Sequence, residues 1–514
     1  MLARSGMTKP LSFILILLTI NFLGLGFKIY ELEKCPKNSF ATVENSDFTL
    51  NDYKEEWEPF DRISQPKITD INLRIDLYPN ERRFEALGVY TLVNKTNAAI
   101  DTLFVRTGFD EITDLDLSGR ARLLKEDGHM KSYLYKLGDT LQPGDSLELS
   151  FAVKNTPNTL FSRNSNVLKN GSFIQHDILP RLGYQFTERE QPQTTPGVNR
   201  MNYFSRDADY LNIYTTISTS GDQTAIAPGD LVSVETEGIR NIYEYRSPTP
   251  VKFNFSFHSA TFEIIEEEHD GVKIQLYHAK EHGYNTGLML EGLKSSLEYN
   301  TKRFGPYPYK QIRIIEFPHT EERYTATLKS NNIPASEVLF NINSQKMDEG
   351  LNLPFYVIAH ELTHEWFGNQ VMPADAEGAK MLTESITEYI SFRIYEEYYG
   401  EKYADKFLSA QYNRYKQGKR MEKAEESPLN KVLSHQDYIA YGKGAIAFYE
   451  ISKSIGRENF YSILNEYLLK YMNETEHYPT TRDFIELLKQ KTNIEKHQMI
   501  DYWLTQTNAV ELNN

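Results

Sequence analysis

The chain has 514 residues, of which 40% are hydrophobic and 25% charged, and a formal net charge of −15 at neutral pH. That length suits two or three domains with large cores. The acidic balance argues against a nucleic-acid partner and weakly favours basic or neutral substrates. One cysteine, Cys35, excludes an intrachain disulfide framework and a cysteine-rich metal site.

From the amino terminus, Arg4 and Lys9 precede an uncharged apolar run from Leu11 to Phe27. Such a run is long enough for a short bilayer-spanning helix and also fits the core of a signal peptide. No A-x-A site follows, and Leu32-Glu33-Lys34-Cys35 lacks the small residues of a lipoprotein box. The reading is a flank over 1–10, then one transmembrane or signal-anchor helix over 11–29, with secretion after signal cleavage as the alternative. Residues 30–66 are polar and charged and read as a linker. From Ile68 the pattern changes: Ile71, Leu73, Ile75 and Leu77 alternate with polar residues, as do Leu147, Leu149, Phe151 and Val153 after a Pro143-Gly144-Asp145 turn. Alternation of period two predicts half-buried strands. Further strands are expected at 211–218, 225–227 and 251–257, and a β domain is assigned to 67–262.

A short strand at 272–277 precedes helical periodicity from about Asn285, opening a second domain over 263–514. Within it, Phe355-Tyr356-Val357-Ile358-Ala359 runs into His360-Glu361-Leu362-Thr363-His364. On a helix, positions i and i+4 share a face, so two imidazoles can ligate one Zn²⁺ while Glu361 reaches the attacking water as general base. A buried stripe of His, Glu and His needs a common partner, and a metal is the simplest one. A catalytic zinc keeps three protein ligands, and Glu384 on the following helical stretch is the candidate third, with Glu377 in a Gly- and Pro-containing loop as its competitor. Glu388, one turn on from Glu384, is either a solvated glutamate or the acceptor for a ligand imidazole N–H. Helices are expected over 445–455, 460–471 and 481–491, the last with a threonine cap.

The string His360 to Asn369, HELTHEWFGN, followed by a glutamate helix, resembles the aminopeptidase N family of gluzincin zinc metallopeptidases. Two further segments are similar: Arg303-Phe304-Gly305-Pro306-Tyr307-Pro308-Tyr309 with the apolar run that follows, and Tyr441-Gly442-Lys443-Gly444, which matches the family's YxKG signature. The resemblance implies an α+β multidomain protein, with an N-terminal β-saddle domain followed by a thermolysin-like, mainly helical catalytic domain. It also implies one catalytic Zn²⁺, peptide substrates, and for Tyr441 a hydrogen bond to the developing oxyanion; the plain alternative for Tyr441 is a packed tyrosine.

Two departures stand out. Nineteen residues separate His364 from Glu384, one more than is usual in the family, and the excess is expected in the Met372–Asp375 loop. The GAMEN segment, whose glutamate holds the substrate α-amino group in the family, is absent as a string. Glu337 is the candidate for that amine-binding role, or else a salt-bridged strand residue. Similar variants occur in peptidase-like domains attached to bacterial ABC-type permeases. That likeness points to a membrane setting with an extracytoplasmic catalytic domain and to a transporter or other membrane protein as partner. The leading expectation is a membrane-anchored zinc aminopeptidase, with a transporter-associated zinc-binding sensor of little turnover as the alternative.

Overall fold

A computed structural model describes residues 50–507 except 109–110, 156–165, 186–191, 319–325, 344–350 and 423–424, together with Leu18, Thr19, Phe22 and Gly24. Apart from those last four, the expected span over 11–29 lies outside the described residues. Among the described residues no helix is long and apolar enough to cross a membrane.

The end of the expected linker is not a tether. Leu50–Trp57 is a helix, and its Tyr53 and Trp57 are buried with Phe104, Met130, Leu134 and Tyr184 in a small core of their own. Trp57 stacks on Phe104 with ring centroids 5.0 Å apart. Two aromatic side chains four residues apart on one helical face are enough to dock an otherwise charged segment.

The amino-terminal part is built on a long sheet centred on Lys67–Tyr78, which runs antiparallel to Arg83–Val93 and parallel to Ala208–Ser220. The alternation read in the sequence is the pleat itself: Leu73, Ile75 and Leu77 are fully buried while Arg74 faces outward. The expected strand over 251–257 is two strands. Val251–Lys252 pairs with Tyr210–Leu211, whereas Ser256–Ala260 pairs with Thr224–Ile226 and with Ser172–Gln175. A corner at residues 253–255, closed by Asn254 N–H on Lys252 O, carries the chain from one sheet to the other. Phe253, Phe255 and Phe257 are all buried, so the period-two signal runs through the corner without marking it.

Glu263 opens a separate four-stranded sheet, with Glu263–His269, Val272–His278, Gln311–Phe317 and Asn332–Ser336 in that order. The last three run parallel. The chain enters Asn332–Ser336 from a hairpin edge, where Ala326 faces Ala335 and Lys329 faces Asn332. Ser330 takes a positive φ of 57° in the turn.

Helices Thr286–Phe304 and Leu353–Thr363 pack beside this sheet. They meet at Gly292, where any Cβ would lie 2.4 Å from the Phe355 carbonyl oxygen, so only glycine permits that approach. The remainder is helical: Ile386–Tyr399, Glu401–Met421, Gly444–Ile455, Arg457–Tyr471, Thr481–Gln490 and His497–Leu504. Thr480 and Asp483 form a capping box on the helix at 481–490. The chain is thus α+β, with a β-rich amino-terminal part and a helical carboxy-terminal part.

Candidate metal centre

Helix Leu353–Thr363 is apolar on nearly every side, with Phe355, Ile358, Ala359 and Leu362 buried. Its polar stripe is His360, Glu361 and His364. Glu384 reaches them from Met381–Ser385, a π-helical turn that leads into helix Ile386–Tyr399. A π turn holds one residue more than an α turn. The turn that carries Glu384 thus accommodates one residue more than an α-helical turn would. Tyr441 likewise sits in a π-helical segment, Tyr438–Lys443. The two π segments are joined where Ser385 Oγ donates to the Ala440 carbonyl at 2.5 Å. Gly444 makes room for the contact, since a Cβ there would fall 2.2 Å from Ser385 Oγ.

Glu384 Oε2 lies 3.4 Å from His360 Nε2 and 3.3 Å from His364 Nε2. One ligand atom from each of the three lies within 4.8 Å of the others. Glu384 Oε2 is buried without a proper hydrogen-bond donor. Two imidazole nitrogens and a carboxylate oxygen that converge in this way suit a divalent cation, and nitrogen–oxygen donors of this kind suit zinc. The electrostatics agree. Burial opposes charge on His364, yet Glu384 raises it to about 9, and the two histidines hold Glu384 well below the usual carboxylate range against its own burial. Positive charge is what this point demands.

The imidazoles are oriented from behind. His364 Nδ1 bonds the Phe367 carbonyl at 3.2 Å, which leaves Nε2 free for a metal. His360 Nδ1 faces Glu388 Oε1 at 3.8 Å. Glu388 is fully buried, accepts hydrogen bonds from the Tyr356 hydroxyl and Gln411 Nε2, and lies 3.7 Å from Arg414. It is not a solvated surface glutamate. Glu377 pairs with Lys431 at 3.2 Å, and the metal cluster does not include it.

Glu361 Oε2 accepts the amide of Leu328 at 2.8 Å, which fixes the carboxylate against the hairpin edge. Burial raises its pKa above the ordinary range, with His364 and His360 opposing, so the group is a stronger base than a free glutamate. The Tyr441 ring stacks on His360 with centroids 5.8 Å apart and lies under the Arg414 guanidinium at 4.0 Å. Burial and the negative charge of Glu384 push the phenol well up, so it is a proton donor at any physiological pH.

Glu337 stands elsewhere. It starts the short helix Glu337–Asn341 and clusters with His282 and Glu316 within 4.8 Å; His282 and Glu316 are hydrogen-bonded to each other. The structure does not group Glu337 with the metal ligands.

Sequence reasoning passed over several groups. The hairpin edge that holds Glu361 continues into Lys329, 4% exposed, whose ammonium donates to Gln175 Oε1 at 2.8 Å and Asn254 Oδ1 at 3.0 Å. Lys252, also buried, lies over the Phe204 ring at 3.7 Å. Burial lowers it to about 7, against the pull of Glu365. A cavity of about 440 Å³ opens between Lys252, Ser330, Tyr210, Tyr309 and Glu365. Tyr309 and Glu365 lie within motifs read in the sequence, whereas Tyr210, Lys252, Lys329 and Ser330 come from segments far apart that no local pattern marks.

Residues 288–503 match the family model described as Peptidase family M1 domain. The chain is 21% identical over 311 residues to Aminopeptidase M1-B of Oryza sativa, covering 57% of this chain and 34% of that protein. It is 24% identical over 281 residues to Probable aminopeptidase 1 of Sulfurisphaera tokodaii, covering 50% and 33% respectively. The chain therefore spans about a third of the length of these curated relatives. The crystal structure of an M1 zinc metallopeptidase from Deinococcus radiodurans superposes with a TM-score of 0.63 at 15% identity, over 87% of this chain and 95% of that one.

Proposed function

We propose that the chain is a zinc-dependent metallopeptidase that hydrolyses peptides, a reading supported by the match of residues 288–503 to the Peptidase family M1 domain model. The observation that carries this reading is the convergence of His360, His364 and Glu384 on one point, with Glu361 and Tyr441 beside it. The finer reading, removal of amino-terminal residues, is supported by the names of the curated relatives. Anchoring by residues 11–29, an extracytoplasmic catalytic domain and a transporter or other membrane protein as partner belong to the same proposal. They are supported by the apolar run and the permease-domain likeness alone.

His360, His364 and Glu384 would hold the zinc, which when bound supplies a Lewis acid that polarises the scissile carbonyl and makes the attacking water more acidic. Glu361, oriented by Leu328 N–H, takes the proton from that water and passes it to the leaving amine. Tyr441 donates its hydroxyl proton in a hydrogen bond to the carbonyl oxygen as negative charge grows there. Glu388 keeps the His360 ring in orientation from behind. A sensor that kept zinc without turnover would have no use for this pairing of Glu361 and Tyr441, which argues against that alternative.

The test is a turnover assay on the full chain in detergent, with aminoacyl amides and N-blocked peptides as substrates and Glu361→Gln as control. Cleavage that needs zinc and Glu361 is expected. Stoichiometric zinc binding without turnover of any peptide would refute the proposal, and cleavage of blocked peptides alone would replace aminopeptidase with endopeptidase.

A further inference from the structure

The cavity of about 440 Å³ beside Lys252 and Glu365 lies behind the metal centre and is separate from it. Its walls include none of His360, Glu361, His364, Glu384 and Tyr441, yet the chain ties it to two of them. Glu365 follows His364, and the Asn369 amide bonds the His364 carbonyl at 2.9 Å. Ser330 stands two residues beyond Leu328, whose N–H holds Glu361.

Polar groups on the walls are unmatched, and they divide into donors and acceptors. Lys252 is 6% exposed, and its ammonium lies over the Phe204 ring without a hydrogen bond or ion pair among the described residues. Ser330 is 1% exposed, and its Oγ has no hydrogen-bond partner among the described residues. Two acceptors stand against these donors. Glu365 is buried and takes the Asn369 side-chain amide at 2.8 Å, but closes no ion pair among the described residues. Because Asn369 Nδ2 is the donor in that bond, its Oδ1 is left as an acceptor, buried and without a partner among the described residues. Unmatched groups of this kind are costly inside a protein. The space is far larger than the roughly 30 Å³ that one water takes, and it falls within the range of about 300–1,000 Å³ of small-molecule sites. Tyr210, Val251 and Tyr309 add apolar wall.

We propose that this cavity binds a free α-amino acid with a large apolar side chain. Lys252 and the Ser330 hydroxyl donate to its carboxylate, Glu365 and Asn369 Oδ1 accept from its ammonium, and Tyr210 and Tyr309 border its side chain. An α-amino acid joins both charges and an apolar body in one small molecule, and each of its charges favours the ionised form of the group that it meets. For a chain that releases amino-terminal residues, the occupant would be a product held next to the amide that orients Glu361. Binding itself needs no turnover.

The experiment is calorimetry on the zinc-loaded full chain in detergent, with acetohydroxamate saturating the metal. Three probes that contain no peptide bond are used: L-phenylalanine, 2-phenylethylamine, which lacks the carboxylate, and 3-phenylpropionate, which lacks the ammonium. Zinc content and Tm are recorded for each protein. L-phenylalanine is expected to bind one equivalent, tighter than either of the other probes by on the order of tenfold or more. In Lys252→Met its affinity should fall to that of 2-phenylethylamine, whose own binding should not change. In Glu365→Gln it should fall to that of 3-phenylpropionate. Absence of saturable binding, binding that acetohydroxamate abolishes, or an L-phenylalanine affinity unchanged in folded Lys252→Met overturns the inference.

A Lys252→Met protein that fails to fold moves the test to Ser330→Gly. Glycine removes the hydroxyl and accepts the positive φ of 57° more readily than serine. L-phenylalanine should bind this variant about tenfold more weakly and 2-phenylethylamine as before, and an unchanged L-phenylalanine affinity overturns the proposal. Amino-acid binding in a chain that cleaves no peptide would refute the peptidase reading alone. Peptide cleavage without amino-acid binding would refute this inference alone.

Discussion

Leu328 donates its backbone N–H to Oε2 of Glu361 across 2.8 Å, so the edge of the sheet and the acid of the metal-binding helix are one rigid unit. The main-chain amide holds the carboxylate toward the hairpin edge. The relation also separates the chemistry of Glu361 from its structural bond. Glutamine at 361 can still accept from Leu328 but cannot take a proton. Glu361→Gln is therefore expected to bind zinc as the wild type does and to lose activity by about 10²–10⁴, measured as kcat alongside metal analysis. An active Glu361→Gln protein would require a different base.

Tyr441 stacks on His360, and the negative charge of Glu384 acts on its hydroxyl. Removing only the hydroxyl in Tyr441→Phe should lower kcat by about 10²–10³ with zinc content unchanged. A fall in zinc content, or no change in kcat, would make Tyr441 a packing residue.

Glu388 collects Tyr356, Gln411 and Arg414 and presents its remaining reach to His360 Nδ1. Glu388→Ala should weaken zinc affinity by about 10–100-fold, read by competition with a chelating dye. Affinity equal to the wild type would show that the His360 ring is oriented by its packing alone.

His258 is fully buried against Phe173, and burial, with Lys329 adding to it, lowers its pKa to about 3. In the unfolded chain the same imidazole titrates near its ordinary 6.5. Between those values the unfolded chain binds a proton that the folded one refuses. The neutral ring's stability is thus complete above about pH 6.5 and is lost as pH falls toward about 3, at roughly 1.4 kcal/mol per pH unit. In zinc-saturated protein, His258→Phe should flatten the dependence of urea-unfolding stability between about pH 4 and 6 by that slope. An unaltered slope would mean that His258 titrates normally in the fold.

Trp57 is completely buried on a helix that precedes the first long strand. Trp57→Ala should destabilise the β-rich part by about 3–5 kcal/mol, and a truncation beginning at Lys67 should show a comparable loss in chemical denaturation. A truncated chain as stable as the full one would make the helix an ornament.

What the sequence made legible follows physical range. His360, Glu361 and His364 lie within one helical turn and a half, Glu384 and Tyr441 within short motifs, and the strand segments at 71–78 and 146–155 within a regular alternation. Local spacing encodes all of these. The docking of Leu50–Trp57 was hidden because two aromatics in a charged octamer carry no periodic signal. The corner at 253–255 was hidden because its phenylalanines keep alternating while the chain changes sheets. Glu337 satisfied a sequence distance from His360, yet tertiary structure takes it to His282 and Glu316. Lys329, Lys252 and His176 share a neighbourhood only because the β-rich part closes over the hairpin edge, a relation that no window along the chain contains.

The π turn at Met381–Ser385 also changes which kind of genetic accident this centre can survive. A substitution at Met381 or Leu382 alters packing but leaves the backbone count intact. Loss of the Met381 or Leu382 codon would keep the reading frame and every reactive group, yet tighten the turn to an α-helix and swing the acid ligand by about 100°. The catalytic centre is in this sense set by arithmetic as much as by chemistry, and insertions and deletions within these five residues, more than point changes, mark out which descendants of this chain can still hold a metal.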